Sequence, residues 1–388
     1  MVTLRLIVLA LLVATLIPLA GPAPVATAAP TPDPGWSLAP TASSALPAGD
    51  CGQVLFVGVR GSGEAPPYGS TITDFRDAVA RGAGGADVRQ AYLDYPAAAI
   101  DAVDTRSLED AIFDPTAAQN SYFASVAAGV GALSKLIASQ AQACPNQRLL
   151  LAGFSQGAEV IVRTLALHPQ GPKLLAAVLL GDPVHYPGQN SLELDGTARN
   201  RAFGLVTALN YLRGVADPLD NPTRADQVHS VVQAAVDMYQ GTVDTARLTA
   251  MMASDHLSIS GLDAPRVYSV CDTGDLVCDA AQPLARVLTT ASTITSERDK
   301  ARPIHLGYHG PAIRNTVAAV DAALSAIPPE TTVPVPVPPP APVADWLPFG
   351  IAGVVVSLVL LMLALHLGRR LHRRLAHRRR RGGAGVPS

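Results

Sequence analysis

The sequence predicts an α/β fold in which a central parallel sheet is covered by helices on both faces. Three observations carry this prediction. Four short apolar runs have the length of buried strands, and Ala-rich stretches with helical spacing lie between them. One of those runs also ends on a serine held between two glycines, where the spacing turns helical.

Taken in order, residues 1–28 show Arg5, an uncharged and mostly apolar stretch from Leu6 to Ala20, and Ala26-Thr27-Ala28, which suits a signal-peptidase site. This segment reads as an export signal. A single domain is expected over 48–326. Its strand-like runs are QVLFVGV (53–59), RLLLAGF (148–154), LAAVLLG (175–181) and RVYSVC (266–271), and SYFASVAAGVGALSKLIASQAQ (121–142) is the clearest helix. Between GDPV and RVYSVC lies a long segment, about 187–264, whose ARNRAFGLVTALNYLRG and ADQVHSVVQAAVDMYQGTVDTARLTAMMA have helical spacing. A helical insertion is expected there.

Beyond the domain, IPPETTVPVPVPPPAPVADW (327–346) is held extended by the fixed φ of its prolines and reads as a stalk. The uncharged run Leu347–Leu367, at about 1.5 Å per residue, is long enough for a transmembrane helix across a hydrocarbon core roughly 30 Å thick. Residues 368–388 carry eight arginines and no acid, which places this tail in the cytoplasm and the domain outside.

The net charge of −2 conceals that partition. Setting aside Arg5 and the eight tail arginines leaves 20 basic residues against 31 acidic ones, about −11, which argues against nucleic acid or another polyanion as partner. Cys51, Cys144, Cys271 and Cys278 all fall in the exported region, where an even number favours two disulfides. No CxxC pair or adjoining His cluster supports a metal site. Three pairings are open, and the short separation of Cys271 and Cys278 makes them a natural local bridge.

The stretch RLLLAGFSQGAEVIVRTLAL (148–167) explains the glycine-bracketed serine. At a sharp strand-to-helix turn, Ser155 is forced into a strained conformation that lifts its hydroxyl above the sheet, and the glycines permit close backbone packing. The helix amides that follow can stabilise a developing oxyanion. Ser155 is therefore a candidate nucleophile, needing a base and an acid to orient that base. In the chain order Ser, acid, His, an acid within CDTGDLVC leaves only His305 and His309 downstream and outside the span and tail. Asp182 in LLGDP also follows a strand end and is a second candidate acid. Gly61 and Gly63 lack the Lys of a phosphate loop, which argues against a nucleotide site.

GFSQG around Ser155, CDTGDLVC (271–278), HLGY (305–308) and RGSGE (60–64) together resemble the cutinase family, including its actinobacterial cutinase-like esterases. The resemblance covers roughly 48–326 and implies an α/β-hydrolase fold. It implies Ser155 as nucleophile, Asp275 as acid and His305 as base. An oxyanion hole would be made by the Gln156 amide with the amide and hydroxyl of Ser62. The implied disulfides are Cys51–Cys144 and Cys271–Cys278. The chain departs from the small family members in its helical insertion, which suits a lid, a wall of an acyl groove or surface decoration, and in a longer Asp275 to His305 segment. The expected activity is hydrolysis of lipid or polyester-like esters by a membrane-anchored serine esterase, without metal or organic cofactor. An envelope acyltransferase and an inactive envelope-binding scaffold are the alternatives.

Overall fold

The computed structural model describes residues 36–328, apart from 38, 48, 83–84, 100–104, 115–120, 199–200 and 218–219, together with 359–363 and 366–367. The signal, most of the stalk and the tail lie outside the described residues. Of the 347–367 run only 359–363 and 366–367 are described, and they are helical with exposed side chains.

Six strands form one sheet: β1 (Thr41–Ala42), β2 (Val54–Val59), β3 (Val88–Tyr92), β4 (Arg148–Phe154), β5 (Leu174–Leu180) and β6 (Val267–Val270). The helices of eight or more residues are α1 (Gly69–Gly82), α2 (Thr105–Phe113), α3 (Ser121–Ala143), α4 (Gln156–Leu167), α5 (Leu205–Val215), α6 (Arg224–Gln240), α7 (Thr245–Ser254), α8 (Ala281–Leu288), α9 (Ile294–His305) and α10 (Arg314–Ser325). The strand order is β1-β3-β2-β4-β5-β6, and every pairing is parallel.

The predicted parallel sheet is present, and its strands are buried on both faces because helices cover both. Alternation along β2 divides two cores. Leu55, Val57 and Val59 pack with α3, α4, the insertion and α8, whereas Val54 and Phe56 pack with α1 and α10. Ser121–Ala143 is long and apolar enough to cross a membrane, with mean hydropathy 1.3. Its buried face, including Val126, Gly129, Leu133 and Ile137, packs against α4, which makes it a core helix.

Two features lie outside the sequence expectation. β3 has the composition VRQAY, too polar to register as an apolar run, yet it pairs with β2 along its whole length. The fold also begins before residue 48. Trp36 is buried with its ring 5.5 Å from that of Phe56, Ser37 donates its backbone N–H to Val88 O, and β1 pairs with β3. At the opposite edge the single residue Leu192 bridges to β6, its N–H bonding Val267 O and its carbonyl accepting from Ser269.

The first α-helix of the insertion among the described residues starts at Leu205. Its earlier part is held by Asp195, whose carboxylate accepts the N–H groups of Asn315 (3.2 Å) and Thr316 (2.6 Å) at the start of α10. Helices α5 to α7 are not loose decoration, because Leu212, Ala235, Met238, Leu248 and Met252 belong to the same core as β4 and α4.

Both disulfides pair as the family resemblance implies: Cys51 with Cys144, 93 residues apart, and Cys271 with Cys278, 7 apart. Loop-closure entropy assigns about 5 kcal/mol to the first and about 2 kcal/mol to the second. Replacing Cys51 and Cys144 together by serine is expected to lower the urea midpoint more than replacing Cys271 and Cys278, and an equal or reversed ranking contradicts this account.

Candidate active site

The paired strand ends set the site. Val59 of β2 is level with Gly153 of β4, and Phe154 with Leu180 of β5, which in turn pairs with Val270 of β6. The loops leaving these ends emerge along one rim, and the chain reverses its direction of strand addition between β2 and β4, where crevices form in open parallel sheets.

Ser155 follows β4 with φ 52° and ψ −120°, the strained turn that the glycine pattern predicts. Its N–H bonds Leu180 O at 2.9 Å, and α4 starts at once. The glycines are required sterically. A Cβ on Gly157 would lie 2.1 Å from Val59 O, and one on Gly153 would lie 2.5 Å from Gly157 O. Gln156 is the first residue of α4, so its amide is one of those that a helix leaves unpaired. Its side chain turns inward, accepting from Ser125 Oγ at 3.1 Å.

Ser62 lies in the loop after β2. Its hydroxyl is buried and has no hydrogen-bond partner among the described residues. Arg60 and Glu64 shape this loop. The Arg60 guanidinium donates to Glu64 O (2.9 Å), Leu93 O (3.1 Å) and Tyr95 O, while Tyr95 returns its hydroxyl to Arg60 O at 2.6 Å. Glu64 accepts from Gly61 N at 2.7 Å and Ser70 N at 3.0 Å, which ties the loop to α1.

Asp275 is buried in the loop closed by Cys271–Cys278. Its Oδ2 lies 2.8 Å from His305 Nδ1, and neither Asp182 nor His309 takes that place. Asp275 Oδ1 accepts Val277 N–H at 2.9 Å, and Oδ2 also accepts the Tyr308 hydroxyl at 2.6 Å. The insertion supports this loop from behind: Leu205 donates to Val277 O, Ala280 to Phe203 O, and Thr197 and Ala198 to Cys271 O.

The longer Asp275 to His305 segment forms α8 and α9, and His305 is the last residue of α9. Its ring stacks on Phe154, 4.7 Å between centroids, and a Cβ on Gly181 would come within 2.9 Å of its Cε1. A Cβ on Gly61 would likewise lie 2.7 Å from Phe154 Cδ1. The Phe154 ring thus separates the Ser62 loop from His305, directly before Ser155. In the sequence Phe154 reads as ordinary strand, and Tyr308 only as the last residue of HLGY.

Asp182 has another environment. It is fully buried, accepts Val184 N–H at 3.0 Å and Gln189 Nε2 at 3.5 Å, and burial pushes its carboxyl up to about 7, with nearby Glu159 adding to the shift. Because the folded value lies above that of the unfolded chain, the stability it permits is fully present below about pH 4 and is lost as pH rises through 7. The loss is on the order of 4 kcal/mol. Asp182→Asn is expected to be more stable than the parent at pH 8 and to converge with it near pH 4, as read by thermal unfolding. Parallel curves would refute this.

Glu297 anchors α9. Hydrogen bonding by Arg286 of α8, opposed by burial of the carboxyl, holds it down to about 2, and Lys300 Nζ lies 3.2 Å away. Stability from this group is therefore present above about pH 4.5 and lost as pH falls through 2. Arg286 is about one-third exposed, so solvent screening reduces the effect to about 1–2 kcal/mol. Glu297→Gln is expected to lose that amount at pH 7 in urea titrations, with the deficit shrinking below pH 4.

Residues 50–296 match the cutinase family model. The match ends before His305. Carboxylesterase Culp1 of Mycobacterium tuberculosis is 30% identical over 147 residues, 37% of this chain and 58% of that relative, so the alignment spans less than two thirds of its length. Among solved structures, a cutinase-like protein from Cryptococcus sp. is 18% identical, with TM-score 0.38, covering 70% of this chain and 91% of that one. The catalytic core domain of acetyl xylan esterase from Trichoderma reesei is 15% identical, with TM-score 0.40, covering 71% and 100%.

Proposed function

The chain belongs to the cutinase family, and on that premise we propose that it is a serine carboxylic-ester hydrolase working through a Ser155 acyl-enzyme. The observation that carries this reading is the hydrogen bond of His305 Nδ1 to buried Asp275, with the imidazole stacked on the residue that precedes Ser155. That bond leaves Nε2 as the proton acceptor.

In the proposed mechanism Ser155 Oγ attacks the ester carbonyl while His305 Nε2 takes its proton. The tetrahedral oxyanion is held by the amides of Gln156 and Ser62 and by the Ser62 hydroxyl. The absence of another partner for that hydroxyl among the described residues supports its assignment. His305 then protonates the departing alcohol, and water activated by the same nitrogen releases the acid. Asp275 keeps the Nδ1–H tautomer in place throughout.

The substrate class proposed is a lipid or polyester-like ester. Two disulfides fit an oxidising, extracytoplasmic setting. The proposed localisation is accordingly outside the cell, with the 347–367 run as membrane anchor and the arginine tail in the cytoplasm.

The test uses the full-length protein in detergent with p-nitrophenyl esters from acetyl to palmitoyl, and a fluorophosphonate label in parallel. Ser155→Ala is expected to abolish labelling and to lower kcat by roughly 10⁴-fold or more. A folded parent protein that neither labels nor hydrolyses refutes the proposal. Acyl transfer to an added alcohol in preference to water would redirect it to a transferase.

A further inference from the structure

Asp275 has more donors than a triad acid needs. Val277 N–H occupies Oδ1, while Oδ2 is shared by His305 Nδ1 at 2.8 Å and by Tyr308 OH at the shorter distance of 2.6 Å. The Tyr308 hydroxyl is itself fixed, accepting Asp272 N–H at 3.1 Å. Its ring is fully buried and meets both His305 and Phe154 edge-on, with centroids 6.3 and 6.4 Å away. A relay therefore runs from the Asp272 amide through the Tyr308 hydroxyl to the carboxylate oxygen that His305 uses.

We propose that Tyr308 is a positioning residue for the reaction, its hydroxyl locking the Asp275 carboxylate and drawing charge from the oxygen that faces His305. The proposal rests on the Ser155–Asp275–His305 reading and deepens it. Two consequences separate the hydroxyl from the ring. Without the hydroxyl the carboxylate is held by one fewer bond and turns more freely, so His305 spends less time in the reactive orientation. Oδ2 also retains more negative charge, which strengthens its attraction for a protonated imidazole.

The titratable groups facing this carboxylate are His305 and Tyr308 from the end of α9 and beyond, and Asp272 and Asp279 from its own loop. Burial and Asp275 together push the Tyr308 hydroxyl well above its ordinary range, so it remains a donor throughout working pH. Asp279 is turned to its own partner, accepting Gly274 N–H at 2.9 Å.

The test is Tyr308→Phe in the full-length protein, which keeps the ring and removes only the hydroxyl. Fluorophosphonate titration counts active sites, so that rates are expressed per competent molecule and a loss of folded protein does not enter. The expected result is a roughly ten- to hundredfold fall in kcat per titrated site with KM little changed. The acid limb of kcat/KM is expected to move up by roughly one pH unit. Tyr308→3-fluorotyrosine keeps shape and fold while strengthening the donor, and it should move the same limb downward.

Rates per site and an acid limb equal to those of the parent in both variants overturn the proposal, whatever happens to stability. Should Tyr308→Phe not fold, the fluorotyrosine variant decides alone. A parent protein that neither labels nor hydrolyses overturns the Ser155 reading instead, which distinguishes the two failures.

Discussion

The site depends on one steric constraint, the approach of α4 to the end of β2. Gly157 sits so close to Val59 O that no side chain fits, and Gly153 meets the same helix from below. This contact forces Ser155 into its left-handed turn and aims the first amides of α4 along the rim. It also puts the loop after β2, which carries Ser62, beside the turn after β4, because Val59 is level with Gly153. A parallel sheet with an adjoining pair of strand ends supplies the position, and two glycines supply the proximity.

The polar groups at the rim are held by different means according to their burial. The Ser62 loop is fastened by Arg60 and Glu64, whose charges bond mainly to backbone groups and leave the Ser62 hydroxyl uncommitted. The Asp275 loop is short, closed by a disulfide and backed by the first part of the insertion. Phe154 joins the two regions. With Gly61 against one part of the ring and His305 stacked on it, this side chain sets the spacing between the Ser62 loop and the His305 imidazole. Rigid packing fixes the parts that must not move, and hydrogen bonds fix those that must carry charge.

Much of this was legible in the sequence, where local rules governed. RLLLAGF gave β4 to the residue, because a run buried on both faces leaves a continuous apolar signature. GFSQG marked the turn because only glycine tolerates that packing. VRQAY was invisible as β3, since Arg89 is only half-buried and the buried Gln90 amide is satisfied by Ser37 O and the Arg76 guanidinium rather than replaced by an apolar residue. The start of the fold at Trp36 was missed for a related reason: one aromatic and a two-residue strand produce no periodicity. Sequence order narrowed the base to His305 or His309 and the HLGY match favoured His305, the imidazole that the end of α9 brings to Asp275. The role of Asp195 in capping α10 from a distant loop leaves no local trace.

The two margins of the sheet have a consequence for behaviour in company. Parallel sheets with long free margins invite strand addition by other chains, and molecules gathered at one surface meet each other often. Here one margin ends in the two-residue β1 and the other is occupied by Leu192, so little unpaired backbone is offered at either side. The fold thereby offers copies of itself little backbone for fibril templating or strand exchange, a property quite separate from its chemistry.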